Sequence, residues 1–153
     1  MAFIYYVTHI QFEAGAIKLL KQECQRVGIT RPLIITDQGV KAAGILQKAL
    51  DNLSGMTVAV FDQTPSNPTE AAVRAAAASY KANNCDGLIA VGGGSSIDCA
   101  KGVAIATTHE GPLTTYATIE GGSLLITERA APLIAVPTTS GTGSEVARGA
   151  ILI

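Results

Sequence analysis

Residues 87–101 read GLIAVGGGSSIDCAK. The first five are apolar, three glycines follow, and SIDCAKGVAIA (96–106) then takes helical spacing. A strand that ends in bare backbone and passes at once into a helix is a unit of a parallel α/β fold. The same alternation runs outward in both directions. FIYYV (3–7) predicts a strand, with HIQF (9–12) as a second candidate. Ile17, Leu20, Cys24 and Val27 share one face of a helix over 14–27, which Gly28 stops. PLIIT (32–36) is a strand, 39–50 a helix, MTVAVFD (56–62) a strand and 68–82 an alanine-rich helix. After a Gly/Thr-rich excursion, PLIAVP (132–137) is another buried strand. Strands that are apolar throughout, with helices between them, predict a Rossmann-like parallel sheet with helices on both faces.

Composition bounds what such a domain does. The chain has 153 residues, 48% of them apolar and 15% charged, so part of its surface is expected to be covered by something else. The net charge is −1 and no basic stripe is present, which argues against nucleic acid as a partner. Apolar runs are short and broken, so no membrane span is expected, and the N-terminus lacks a secretory pattern. Cys24, Cys85 and Cys99 are odd in number and far apart, as expected of reduced thiols in a cytoplasmic protein. The run VARGAILI (146–153) is β-like and stops without a turn or polar tail, so we expect the chain to be the truncated front of a longer protein.

The glycine run is where a ligand is expected. Side-chain-free backbone lets a ligand approach the amides, and a helix opening at Ser95 or Ser96 offers unpaired N–H groups and a partial positive charge. Phosphate oxygens suit that site better than a plain tight turn capped by a serine. It is not a P-loop, since no Lys-Ser/Thr closes it. It is not G-x-G-x-x-G either, since Ile97 stands at the third glycine. Asp98 and Lys101, three apart, read as a helix-surface ion pair. Asp37 closes LIITD at the carboxyl end of a strand, where it can meet ribose hydroxyls or simply cap the next helix; position alone leaves both open. PSNPTE (65–70) reads as a helix start, with Asn67 as N-cap and Glu70 completing a capping box. PTTSGTGSEV (137–146) carries five hydroxyl residues and two spaced glycines after a buried strand, suiting ribose and amide recognition. It lacks G-x-S-x-G and so is no hydrolase elbow. His9 and His109 share no metal-ligand spacing, and an exposed polar role is expected of each.

Taken together, DGLIAVGGGSSIDCAK and PTTSGTGSEV, supported by TDQG and NPT, resemble the N-terminal domain of the iron-containing (group III) alcohol dehydrogenases. The resemblance implies an NAD-binding domain, with NADP disfavoured, acting on a small alcohol or aldehyde in a homo-oligomeric full-length enzyme. Asp37 would meet the adenosine ribose and Asn67 would lie beside the cofactor. Gly93, Gly94, Ser95 and Ser96 would hold the pyrophosphate, and Asp98 would support the loop or approach the ligand. Thr138, Thr139 and Thr142 would line the nicotinamide side. Fe2+ or Zn2+ would sit in a helical second domain absent here and act as a Lewis acid, so no catalytic or metal residue is expected in this chain. Alternatives are a maleylacetate or 4-hydroxybutyrate type of reductase, or a nucleotide-binding module without chemistry.

Overall fold

The structure is a computed structural model, and residues 8–153 are described. The expected strand at 3–7 lies outside them. Four strands, β1 (Pro32–Ile35), β2 (Ala59–Phe61), β3 (Gly87–Gly92) and β4 (Leu133–Pro137), form one sheet in the order β2-β1-β3-β4. Every pairing is parallel, with Ile34 opposite both Val60 and Ile89, and Ala90 opposite Ala135. Residues 9–12 form no strand and are exposed.

Strand alternation divides the core in two. Leu33, Ile35, Leu88 and Ala90 pack on one face against α4 (Glu70–Ala82) and α5 (Gly94–Ala106). Ile34, Ile89 and Val91 pack on the other against α1 (Leu20–Arg26), α2 (Gln38–Ala42) and α3 (Ile45–Asp51). The strands are apolar throughout because both faces are covered. Cys99, wholly buried in the first core, has its thiol pushed up to about 11 by that burial.

Three expectations are corrected. The helix expected over 39–50 is two, because Gly44 takes a left-handed φ of 73° between α2 and α3. The helix expected over 14–27 starts as a 3₁₀ turn, Ala16–Leu19, before α1. The β-like run 146–153 is not a strand. Its partner edge would have to be β4 or β2, and instead it lies along α5. There Leu152 packs on the core, and Ile151 and Ile153 stay exposed. The chain makes way for this packing at Gly102. A Cβ there would stand 2.8 Å from Val73 Cγ2 and 3.2 Å from Leu152 Cδ1.

Candidate cofactor site

From β1 the chain steps outward to β2, then crosses back over β1 to β3 and steps outward the other way to β4. The order therefore reverses between β1 and β3, and the crevice beyond their carboxyl ends is where open α/β sheets take ligands. A cleft of about 640 Å³ lies there. Asp37 enters it after β1, residues 64–66 after β2, Gly93 to Ser95 after β3, and Thr138 and Thr139 after β4. A smaller hollow of about 280 Å³ shares Gly94 and Ser95 and runs on to Asn67, Asp98 and Thr142.

The glycine run shapes the floor. Gly93 is the N-cap of α5 with extended backbone, φ −80° and ψ −166°, and no side chain caps the helix. The helix thus opens at Gly94, earlier than the serines. Its first amides border the cleft with the positive end of a 13-residue dipole behind them. None of Gly92, Gly93 and Gly94 has a positive φ. They are needed for space. A Cβ on Gly92 would collide with Ser96, lying 2.6 Å from its Cβ. On Gly93 it would lie 3.1 Å from Thr139 Oγ1, and on Gly94 3.1 Å from Ser144 Oγ. The bare backbone of one loop is what the hydroxyl-rich loop approaches. Thr138 N–H donates to Gly92 O at 2.9 Å and ties the two at the sheet edge.

Asp37 caps the next helix and also borders the cleft. Its Oδ1 accepts from Val40 N–H at 2.9 Å and caps α2, and the half-buried carboxylate also lines the cleft. Its Oδ2 accepts from Ser96 Oγ at 3.3 Å. Ser96 is 1% exposed, so its hydroxyl braces Asp37 from beneath.

Asn67 does not cap α4. It sits at φ 54°, a left-handed conformation that an N-cap does not adopt. The cap is Thr69, whose Oγ1 accepts from Ala72 N–H at 3.2 Å. Glu70 pairs with Arg74 at 2.9 Å, which holds its carboxyl below the ordinary range. Asn67 is released to the hollow, where its N–H donates to Ser95 Oγ at 3.2 Å. Thr69→Ala is therefore expected to destabilise the fold by about 1 kcal/mol. Asn67→Ala should leave the cap of α4 intact. Urea midpoints of the two variants make the check.

Asp98 and Lys101 are not a surface pair either. Asp98 is 7% exposed, because the segment following β4 covers this face of α5. Lys101 Nζ stands 3.5 Å from Asp98 Oδ1 and donates to Ser144 O and Gly149 O, both at 2.7 Å. Asp98 Oδ2 accepts from Ile151 N–H at 3.0 Å. Burial lowers the Lys101 pKa, and the Asp98 carboxylate opposes that shift. Thr142, at the hollow, donates to Glu145 Oε2 at 3.3 Å. Gly141 and Gly143 flank it at φ 88° and 74°.

His109 departs from its expected exposed role. It is half-buried, its Nε2 accepts from Thr127 N–H at 3.0 Å, and its ring meets Tyr116 edge-on at 5.3 Å. Two members of the site escaped the sequence reading. Thr64 is 6% exposed, its hydroxyl buried beside the Cys99 thiol. Ser66 joins it on the cleft wall. The polar turn QTPSNP was their only signal, and it also serves an ordinary loop. Among the described residues no three His, Cys, Asp or Glu side chains converge to hold a metal. Nor is any helix among them long and apolar enough to cross a membrane.

Known proteins share this fold. The chain is 72% identical over its whole length to a 4-hydroxybutyrate dehydrogenase of Cupriavidus necator, covering 40% of that protein. It is 41% identical to a 1,3-propanediol dehydrogenase of Klebsiella pneumoniae, with 98% of this chain and 39% of the relative aligned. It thus spans about two fifths of these curated relatives. A crystal structure of a sulfoacetaldehyde reductase from Bifidobacterium kashiwanohense in complex with NAD+ superposes with a TM-score of 0.80 at 29% identity. That match covers 95% of this chain and 39% of the other. The sequence model described as iron-containing alcohol dehydrogenase matches residues 7–153. A match of that extent makes the chain a member of the iron-containing alcohol dehydrogenase family.

Proposed function

We propose that this chain binds NAD(H) across the β1–β3 crevice and serves a dehydrogenase that moves a hydride between a small alcohol and nicotinamide. The observation that carries it is the uncapped N-terminus of α5, set beside the Asp37 carboxylate in one cleft. A pyrophosphate suits the amides of Gly93 to Ser96, and ribose hydroxyls suit Asp37. Thr138, Thr139 and Thr142 offer hydroxyls on the far side, where the nicotinamide ribose and carboxamide would lie. The NAD+ complex of the structural relative supports this reading.

The chain's own residues bind and orient. The amides hold the pyrophosphate, Asp37 fixes the adenosine end, and the threonine loop sets the ring face presented to substrate. When bound, NAD supplies the hydride acceptor at C4. An Fe2+ or Zn2+ held by further residues of a longer chain would supply Lewis acidity toward the alcohol oxygen. The substrate is proposed to be a 4-hydroxy acid of the 4-hydroxybutyrate type, on the 72% identity to such a dehydrogenase. A simple diol is the second reading, on the 1,3-propanediol relative. We further propose that the full-length enzyme is a cytoplasmic homo-oligomer.

Calorimetric titration of the 153-residue chain with NAD tests the binding half. Saturable binding in the micromolar to millimolar range is expected, with no alcohol turnover by this chain alone even with added iron. Absence of NAD binding at millimolar concentration by a folded chain overturns the reading. Turnover by the chain alone overturns the assignment of the metal to residues outside it.

A further inference from the structure

We propose that Asp98 and Lys101 form a latch on α5 that holds residues 144–151 against the helix and so fixes the hydroxyl-rich turn 138–142 over the cleft. This rests on the NAD reading above.

The segment after β4 has no helix or strand to hold it. Gly141 and Gly143 loosen it further, since glycine has the most backbone freedom to lose on ordering. Yet it carries Thr142 into the hollow beside Gly94 and Ser95. Three hydrogen bonds from one turn of α5 grip it from behind. Lys101 Nζ takes Ser144 O and Gly149 O, and Asp98 Oδ2 takes Ile151 N–H. The side chains of Lys101 and Asp98 are 15% and 10% exposed, so water competes weakly for these bonds. The ammonium is a donor with no acceptor role, and here it serves two carbonyls that no regular structure satisfies. Each residue leaves the other stranded if removed alone. Their joint effect on Thr142 is mechanical: neither has to touch the cofactor for the turn to depend on them. Ser144 lies two residues past Thr142, and its Oγ is what a Cβ on Gly94 would meet. The gripped segment is therefore the one that carries Thr142 along the Gly94 side of the hollow. Asp98 and Lys101 are positioning residues.

Lys101→Met alone buries an unpaired carboxylate and endangers the fold, so the informative variant is the neutral pair Asp98→Asn/Lys101→Met. Two measurements on the whole chain decide the matter. Amide hydrogen exchange reads Val146, Ala147 and Ile153, whose N–H groups donate to Gly143 and Pro68 carbonyls rather than to the substituted residues. Calorimetry reads NAD and ADP, the second reaching only the Asp37 and glycine side. In the double variant, exchange at the three amides should accelerate at least tenfold while β3 keeps its protection. NAD affinity should fall at least tenfold, with ADP affinity within twofold. Unchanged exchange at 146–153 in a folded double variant overturns the latch. An equal loss of ADP and NAD overturns its link to the nicotinamide side. If the unmodified chain binds neither nucleotide, the NAD reading and that link fail together. The exchange data then still decide the tie itself.

Discussion

Gly94→Ala is expected to weaken NAD binding by at least tenfold while the thermal midpoint falls by only a few degrees. The added methyl group would stand 3.1 Å from Ser144 Oγ and 3.4 Å from Thr142 Cβ. Both neighbours belong to the irregular segment after β4, which has room to back away, so the fold survives. Backing away is what harms binding. It opens the hollow that Gly94 shares with Thr142, and the methyl itself enters the space over the first amides of α5. A loss beyond tenfold exceeds the ~1 kcal/mol of a single neutral hydrogen bond. Backbone strain contributes nothing here, since Gly94 is already helical and has no positive φ. Ser95→Ala should cost less than fivefold, because it removes one hydroxyl and its bond from Asn67 N–H but leaves the floor intact. Calorimetry beside differential scanning tests both. Normal NAD affinity in a folded Gly94→Ala chain would make the glycines a packing device only.

Asp37→Ser should raise affinity for NADP relative to NAD by ten- to a hundredfold. A carboxylate about 5 Å from a 2′-phosphate repels each unit of its charge by about 3 kcal/mol at an effective dielectric near 20, and salt and solvent reduce that figure. Serine is chosen over glycine because Asp37 also caps α2 through Val40 N–H, and a serine hydroxyl keeps that bond. The change in stability should stay under about 1 kcal/mol. Paired titrations with the two cofactors suffice. An unaltered NAD-to-NADP ratio would remove Asp37 from the choice of cofactor and leave it as a cap.

The fold was legible because its signals are local. Apolar runs such as PLII and GLIAVG lie in strands buried residue by residue. The place of the candidate site was legible for the same reason: the glycine run and the threonine run each follow such a strand. What stayed hidden depends on contacts across the fold. Asn67 looked like a cap because sequence shows residue type and not φ. Asp98 and Lys101 looked like a surface pair because i and i+3 spacing is neutral about what covers a helix. The cover is residues 144–152, some forty to fifty positions on. The split at Gly44 was missed because the apolar spacing continues across it, each half packing on the same core. Thr64 carried no signal beyond a polar turn, and only the folded chain shows its hydroxyl buried at the cleft wall.

That split at Gly44 bears on how such a domain diversifies. Asp37 opens a five-residue helix with one buried residue, Val40, and Leu46 and Ala49 belong to the next helix beyond the break. The segment proposed to discriminate between cofactors is thus short and hinged at a glycine, with Val40 alone anchoring it in the core that Leu46 and Ala49 also fill. On that proposal, substitutions at its exposed positions Gln38, Gly39 and Lys41 retune the discrimination without asking α3 to repack. A lineage, or an engineer, can vary those exposed positions and keep the buried anchor at Val40 unchanged.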